Sequence, residues 1–411
     1  MDDRKLFLIL DIDGVLLESH GYRLACVDTI NDFLSLMGQP QLSVDREIAD
    51  RFEVCGIAAE WDMVPLALAA FVNRYCGITG AVLPDVFPPR CDQTIHFDND
   101  DFKQMMLTQI DEFSGLLDPN ETCINAIYHA YQKSDGRGLD HLWAQPFRDR
   151  FFVDTLDPRQ CPFFAGLMNR LLGSEAYRDF YGMEAPLDCS SYLETKDRLL
   201  ISEANRALLP ALPERQIFPV VMTYRPTRFP EQNGNKGRNY FVNTPEGECA
   251  LRLLGWTDGR IRMIGSGSLC YIEEKYELRR EYYVKPHPFH ALASVMMAVT
   301  GDEIEALETA HKLCTLNPEK SDSPAAKWFH PGERLRLAVF EDSVSGIKSV
   351  RNAAEVLREW GYDASAVLCG IRTTAEKSEL LFAAGAVLYD HINDALDAVL
   401  CADDKRREKT L

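Results

Sequence analysis

The chain has 411 residues, is 46% apolar and carries a formal net charge of −19. Its length sets two domains as the expectation, and its apolar content can fill a sizeable core. The acidity argues against nonspecific binding to nucleic acid or to an anionic membrane, and any anion site must be built locally.

The first element is an apolar run, Leu6 to Leu10, rich in strand formers and short enough for a buried parallel strand. Its apolar part is too short for a signal peptide or a membrane span. It stops at Asp11-Ile12-Asp13-Gly14. Side chains two apart in an extended chain point the same way, so Asp11 and Asp13 can reach one spot beyond the strand end. In an open α/β sheet, ligands bind there. Two carboxylates held close call for a cation or a shared proton between them. The plainer alternative is an acidic turn capping a strand.

From Leu16 to about Leu212 the pattern is mostly helical. Helices are predicted over Ala25–Met37, Val64–Tyr75 (Pro65 in its first turn), Phe102–Phe113, Phe163–Leu172 and Ser190–Leu209. Leu83–Pro89 reads as a proline-rich loop and Ser134–Gly138 as a polar break. Roughly 200 residues between two strands cannot be a loop and must form a domain. Trp61 reads as core packing, and Asp62 as either a helix N-cap or a substrate contact.

Pro210–Glu214 is the return linker. Ile217–Met222 is a second apolar strand, ending in Thr223-Tyr224-Arg225-Pro226. Arg225 is open between holding a loop and meeting a phosphate. Pro230–Asn239 is a polar loop, Pro245–Leu254 a helix, Ile261–Ile264 a strand and Gly265-Ser266-Gly267 a turn. Tyr282–Val284 reads as a strand leading into Lys285-Pro286-His287-Pro288, with helices over Phe289–Val299 and Asp302–Leu316. His287 and His290 read as solvated or packed. A third apolar strand, Leu335–Phe340, ends in Glu341-Asp342-Ser343-Val344-Ser345-Gly346-Ile347 and a helix to Trp360. A strand over Ala366–Leu368, two further helices and a charged, frayed tail from Asp403 to Lys409 complete the chain. Short buried strands alternating with helices mark an α/β, doubly wound parallel sheet.

An acid pair, a hydroxyl, a lysine and a second acid pair thus follow one another at predicted strand ends. In that order they resemble the four motifs of the haloacid dehalogenase (HAD) superfamily of phosphohydrolases. The Glu341-Asp342-Ser343 to Gly346-Ile347 form of the fourth is most similar to the phosphoglycolate phosphatase and β-phosphoglucomutase branch. The resemblance implies a HAD-like Rossmannoid core made of residues 1–15 and 213–411. Residues 16–212 are then a mainly helical cap, larger than is usual in that superfamily.

By the same resemblance Asp11 is the nucleophile that forms an aspartyl-phosphate, and Asp13 the general acid and base. Thr223 binds a phosphate oxygen, and Lys285 pairs with the phosphate and with Asp11. A carboxylate attacking a phosphate needs its charge neutralised, and Mg2+ is the implied cofactor. Its metal ligands would be the Asp11 side chain, the Asp13 backbone carbonyl and Asp342, with Glu341 direct or through a water. The expected function is hydrolysis of a small phosphorylated metabolite. A sugar phosphomutase and a non-catalytic protein that binds a phosphate ligand are the alternatives. A dehalogenase is disfavoured because it would lack an acid at position 13. Twelve cysteines are scattered, none nearer another than Cys76 and Cys91, and are expected as reduced thiols in a cytoplasm.

Overall fold

A computed structural model describes residues 4–57, 59–81, 88–91, 93, 95, 98–115, 156–230 and 242–408. The breaks expected at 134–138 and 231–239, and residues 83–87 of the proline-rich loop, lie outside the described residues. The chain divides into two compact units, one of Met1–Ser19 with Asp197–Leu411 and one of His20–Lys196.

In the first unit the described strands are β1 (Arg4–Leu10), β2 (Leu17–Glu18), β3 (Arg198–Leu199), β4 (Ile217–Met222), β5 (Arg262–Ile264), β6 (Arg334–Glu341), β7 (Asp363–Ile371) and β8 (Val387–Tyr389). Six of them form a parallel sheet in the order β5-β4-β1-β6-β7-β8. β1 lies between β4 and β6, and its period-2 alternation supplies both faces. Phe7 and Ile9 enter a core with Val220, Leu337, Leu292 and Ile347, while Leu6, Leu8 and Leu10 enter another with Val221, Phe340, Leu254 and Leu396. All five β1 side chains are at most 1% exposed, each worth ~1.5–3 kcal/mol on burial. Helices Pro288–Thr300, Glu303–Thr315 and Val344–Glu359 cover the first face, and Glu246–Leu254 with Ile392–Glu408 cover the second.

β2 and β3 form a separate antiparallel pair, Leu17 opposite Leu199 and Glu18 opposite Arg198. It joins the two places where the chain leaves and re-enters this unit. The sequence pattern missed it, because Ser190–Leu209 is not one helix. Helical turns occupy Tyr192–Thr195 and Glu203–Leu208, with β3 between them and a 3-10 helix following at Leu209–Arg215. Pairing with β2 overrides the local propensity there.

Three other expectations need correction. Tyr282–Val284 is a run of turns and not a strand, with left-handed backbone at Glu277 (φ 52°) and Glu281 (φ 61°). The tail is helical through Glu408, and buried Asp403 accepts from Arg336 at 3.0 Å. The helix expected from Val64 starts at Glu60, which puts Pro65 beyond the first turn, where it cannot donate to the Trp61 carbonyl.

The second unit is helical. Gly21–Leu36 packs on Glu60–Thr79 and on Pro162–Leu172, the last through an edge-on contact of Phe33 with Phe163 at 4.6 Å. Arg46–Val54, Asn99–Ser114 and Ser174–Tyr181 complete its longer described helices. Among the described residues no helix is long and apolar enough to cross a membrane.

Candidate active site

Strand register assembles the site. Leu10 is level with Val221 of β4 and Phe340 of β6, so Asp11 emerges abreast of Met222 and Glu341. The Asp11 N–H continues the ladder onto the Phe340 carbonyl at 3.1 Å. Gly14 turns the chain at φ 73°, a left-handed conformation that glycine adopts without strain. Its missing side chain also leaves room, because a Cβ there would stand 2.7 Å from Asp342 Oδ2. A second bare position does the same for Glu341. At Gly346, in the first turn of the helix after β6, a Cβ would fall 1.7 Å from Glu341 Oε1.

Lys285 fastens these groups together. Its Nζ donates to Asp11 Oδ1 (3.0 Å), Glu341 Oε1 (2.6 Å) and the Met222 carbonyl (3.2 Å), which engages all three ammonium hydrogens. Lys285 does not end a strand. It stands in the turns before helix Pro288–Thr300, whose N-cap is His287. The other Glu341 oxygen accepts from the N–H and the hydroxyl of Ser343, at 3.0 and 2.6 Å.

Asp11, Glu341 and Asp342 each offer an oxygen within 4.8 Å of the others. Three carboxylates face Lys285, with exposed Lys377 at the edge, 3.8 Å from Asp342 Oδ2, and their proton affinities show that negative charge prevails. Burial, then Glu341, push the Asp11 carboxyl well above its ordinary range despite Lys285. Burial and Glu341 also push Asp342 up to about 6. Burial pulls Lys285 down, but Asp11 and Glu341 more than offset it and hold the ammonium above its ordinary value. An all-oxygen, over-negative cluster of this kind fits a hard divalent cation such as Mg2+. Asp11 and Asp342 are placed to hold it, with Glu341, both of whose oxygens are already engaged, behind them.

The Asp13 side chain has a separate set of hydrogen-bond partners. Arg225 grips it, Nε donating at 3.1 and 3.0 Å to its two oxygens and Nη2 at 2.6 Å to Oδ1, and Ser19 Oγ donates to the same oxygen. Burial favours a neutral Asp13, but Arg225 and Ser19 prevail and hold its carboxyl below the ordinary value. Thr223 is fully buried just past β4. Its N–H continues the sheet onto the Ile264 carbonyl, and its Oγ1 accepts from the Arg225 N–H, both at 3.1 Å.

The structure thus joins Asp11, Lys285 and Glu341 directly, sets Asp342 beside them, and links Asp13 to Thr223 through Arg225. Ser343, Ser19 and Asp197 are participants the sequence did not disclose. Ser343 alone had a local signal, as the hydroxyl that caps the helix after an acid pair.

No protein-family model matches this chain, and no curated protein matches its sequence. One solved structure, an X-ray structure of a Northeast Structural Genomics Consortium target, matches at a TM-score of 0.62 with 15% identity, over 96% of this chain and 98% of that one. Strand order, the motifs at the carboxyl ends and this match of fold agree. The fold is the α/β, doubly wound parallel sheet with a helical insertion that the sequence resemblance implied. A phosphatase from Thermococcus thioreducens (TM-score 0.42, 14% identity, 93% of this chain and 100% of that one) and a hydrolase from Pseudomonas syringae (TM-score 0.32, 11%, 96% and 98%) are more distant in shape. Their scores add nothing to the argument. In the helical unit that interrupts the sheet-bearing core, Arg23 pairs with Glu60 and donates to Glu53 at 2.6 Å. Asp62 is not the N-cap, which is Ala59. It lies in the first turn, 1% exposed, and burial with Glu60 pushes its carboxyl well up.

Proposed function

We propose that this protein is a phosphatase that hydrolyses a small phosphorylated metabolite, using Mg2+ and passing the phosphoryl group through Asp11. The observation that carries the reading is the Asp11 carboxylate at the end of the central strand, 3.0 Å from buried Lys285 and beside Glu341 and Asp342. Phosphoryl transfer asks a protein for positioning and charge, and this cluster offers both. When bound, Mg2+ would be held by Asp11, the Asp13 backbone carbonyl and Asp342, and it offsets the repulsion between carboxylate and phosphate.

This chain's own groups divide the remaining work. Asp11 Oδ attacks phosphorus while the bond to the ester oxygen breaks. Asp13, which Arg225 and Ser19 hold ionised at rest, must first take up a proton from solvent or from the substrate phosphate, and it then delivers that proton to the leaving oxygen. Water then attacks the phosphoryl group on Asp11, losing its proton to Asp13, and the carboxylate is freed. Lys285 and the Thr223 hydroxyl are within the network that would hold the phosphate oxygens. The net charge of −19 disfavours polyanionic partners and leaves recognition to these local groups.

The test is a panel of small phosphate esters assayed with Mg2+, with Asp11→Asn as the control. Turnover of at least one ester is expected, falling by several orders of magnitude in the folded variant. Substantial turnover by Asp11→Asn would remove the nucleophile assignment. Isomerisation of a sugar phosphate without release of phosphate would instead make the protein a mutase.

A further inference from the structure

Arg225 is the least expected residue of the site. It is 3% exposed, yet its guanidinium meets oxygen groups from two stretches far apart in sequence, Asp13 with Ser19 and Asp197. Nε spans the two Asp13 oxygens, and Nη2 reaches Asp13 Oδ1 (2.6 Å), Ser19 Oγ (2.9 Å) and Asp197 Oδ2 (2.9 Å). The Asp197 side chain is fully buried and that of Asp13 is 43% exposed. Ser19 is the last residue of the core before the helical unit and Asp197 the first after it. The Arg225 backbone is itself fixed, its N–H donating to Thr223 Oγ1.

A planar guanidinium imposes direction as well as charge, because its donors lie in a rigid fork. A carboxylate contacted through both oxygens cannot rotate about its Cβ–Cγ bond without breaking a charge-assisted bond. Asp197 shares the Nη2 group with Asp13 and so holds that arm of the fork in place, and of the two carboxylates only Asp13 has an exposed flank. Asp13 therefore has one defined orientation, whereas Asp11 is set by Lys285, an independent cation. Position is decisive for proton transfer, which requires heavy atoms within about 2.6–3.2 Å, and angstrom-scale displacement can cost ~100-fold in rate.

We infer that Arg225 is the positioning residue for the acid–base Asp13, clamped in turn by Asp197 and Ser19. This rests on the phosphatase reading, but not on its substrate. The described side-chain contacts of Arg225 are with Asp13, Ser19 and Asp197, so its loss should fall more heavily on proton transfer than on nucleophilic attack.

The experiment compares the first-turnover rate on two phosphate esters with Mg2+, one alkyl, whose leaving oxygen needs a proton, and one dinitrophenyl, whose oxygen leaves without one. Arg225→Met should lose at least tenfold more rate on the alkyl ester than on the aryl ester. Asp197→Asn, nearly isosteric and milder to the fold, should show the same skew to a smaller degree, and it decides the matter if Arg225→Met does not fold. A purely structural role would lower both rates alike, and equal losses in a folded variant would overturn the inference.

A second arm needs no turnover. The carboxyl carbon of Asp13, followed by ¹³C NMR in the metal-free protein, should move in Arg225→Met and in Asp197→Asn. An unchanged signal would also overturn the inference. Failure of the wild type to cleave any ester would instead count against the phosphatase reading and leave the NMR result to judge Arg225.

Discussion

A single methyl group at residue 346 would coincide with the Glu341 carboxylate, at 1.7 Å from Oε1. That carboxylate cannot step aside cheaply, since Lys285 and Ser343 hold its two oxygens. In an exposed helix alanine would be preferred to glycine by about 1 kcal/mol, whereas here crowding should win. Gly346→Ala is expected to lower stability by about 1–3 kcal/mol and activity by more than tenfold, measured by urea unfolding and by ester hydrolysis. His290 offers a second reading at this scale. It is fully buried, and its Nε2–H donates to the Ile264 carbonyl at 3.1 Å. Burial, assisted by Lys285, drives its pKa from 6.5 down to about 3. Above pH 6.5 the ring is neutral in folded and unfolded chains and contributes nothing. Below it the unfolded chain gains a proton that the folded one refuses, so stability falls as pH drops from 6.5 toward 3. Between pH 7 and pH 5 the wild type should therefore lose about 2 kcal/mol more than His290→Gln. Parallel curves in denaturant titrations would refute this.

Among the elements, the segment before Lys285 departs most from its sequence pattern. Tyr282 and Tyr283 have strong strand propensity, and the run was expected to be a strand. Instead Tyr283 is fully buried, stacks on Phe289 at 3.9 Å, meets His311 Nδ1 through its hydroxyl at 2.6 Å, and donates its N–H to Glu273 at 2.9 Å. This packing holds the turns and so places the lysine. Tyr283→Phe keeps the ring and should cost only about 1 kcal/mol with nearly normal turnover. Tyr283→Ala should cost about 3–5 kcal/mol and reduce turnover through misplacement of Lys285. By contrast β1, β4 and β6 were plain in the sequence, because strands buried on both faces are unbroken apolar runs that stop where the sheet ends. Asp11, Thr223 and Glu341 were legible for that reason. The β2–β3 pair was not, since two residues per strand carry no periodicity. Nor was the contact of Arg225 with Asp13 and Asp197, which depends on a topology that brings together positions 13, 197 and 225.

At the scale of the molecule, the surplus of negative charge makes cation binding a matter of stability as well as chemistry. Buried Lys285 and exposed Lys377 do not offset the mutual repulsion of the three carboxylates, and a ligand that binds only the folded state stabilises it. Mg2+ at a hundred times its dissociation constant should add about 2.7 kcal/mol, seen as a rise in melting temperature. Asp342→Asn should blunt that rise, and a chelator should abolish turnover while leaving the far-ultraviolet spectrum unchanged. A melting temperature indifferent to Mg2+ in the wild type would argue that the cluster is not a metal centre.

The place of β1 in the sheet has a consequence for how the protein is made. β1 leaves the ribosome long before either of its neighbours, β4 at Ile217 and β6 from Arg334. At ~5–20 residues per second, roughly 10–40 s pass between synthesis of Leu10 and of its first neighbour. The whole helical unit emerges in that interval and can fold as a unit, while the strand that ends at Asp11 waits with neither edge paired. Biosynthesis thus delivers the helical unit whole before the central strand of the other unit has a neighbour, and the acid cluster cannot assemble until β6 has been made.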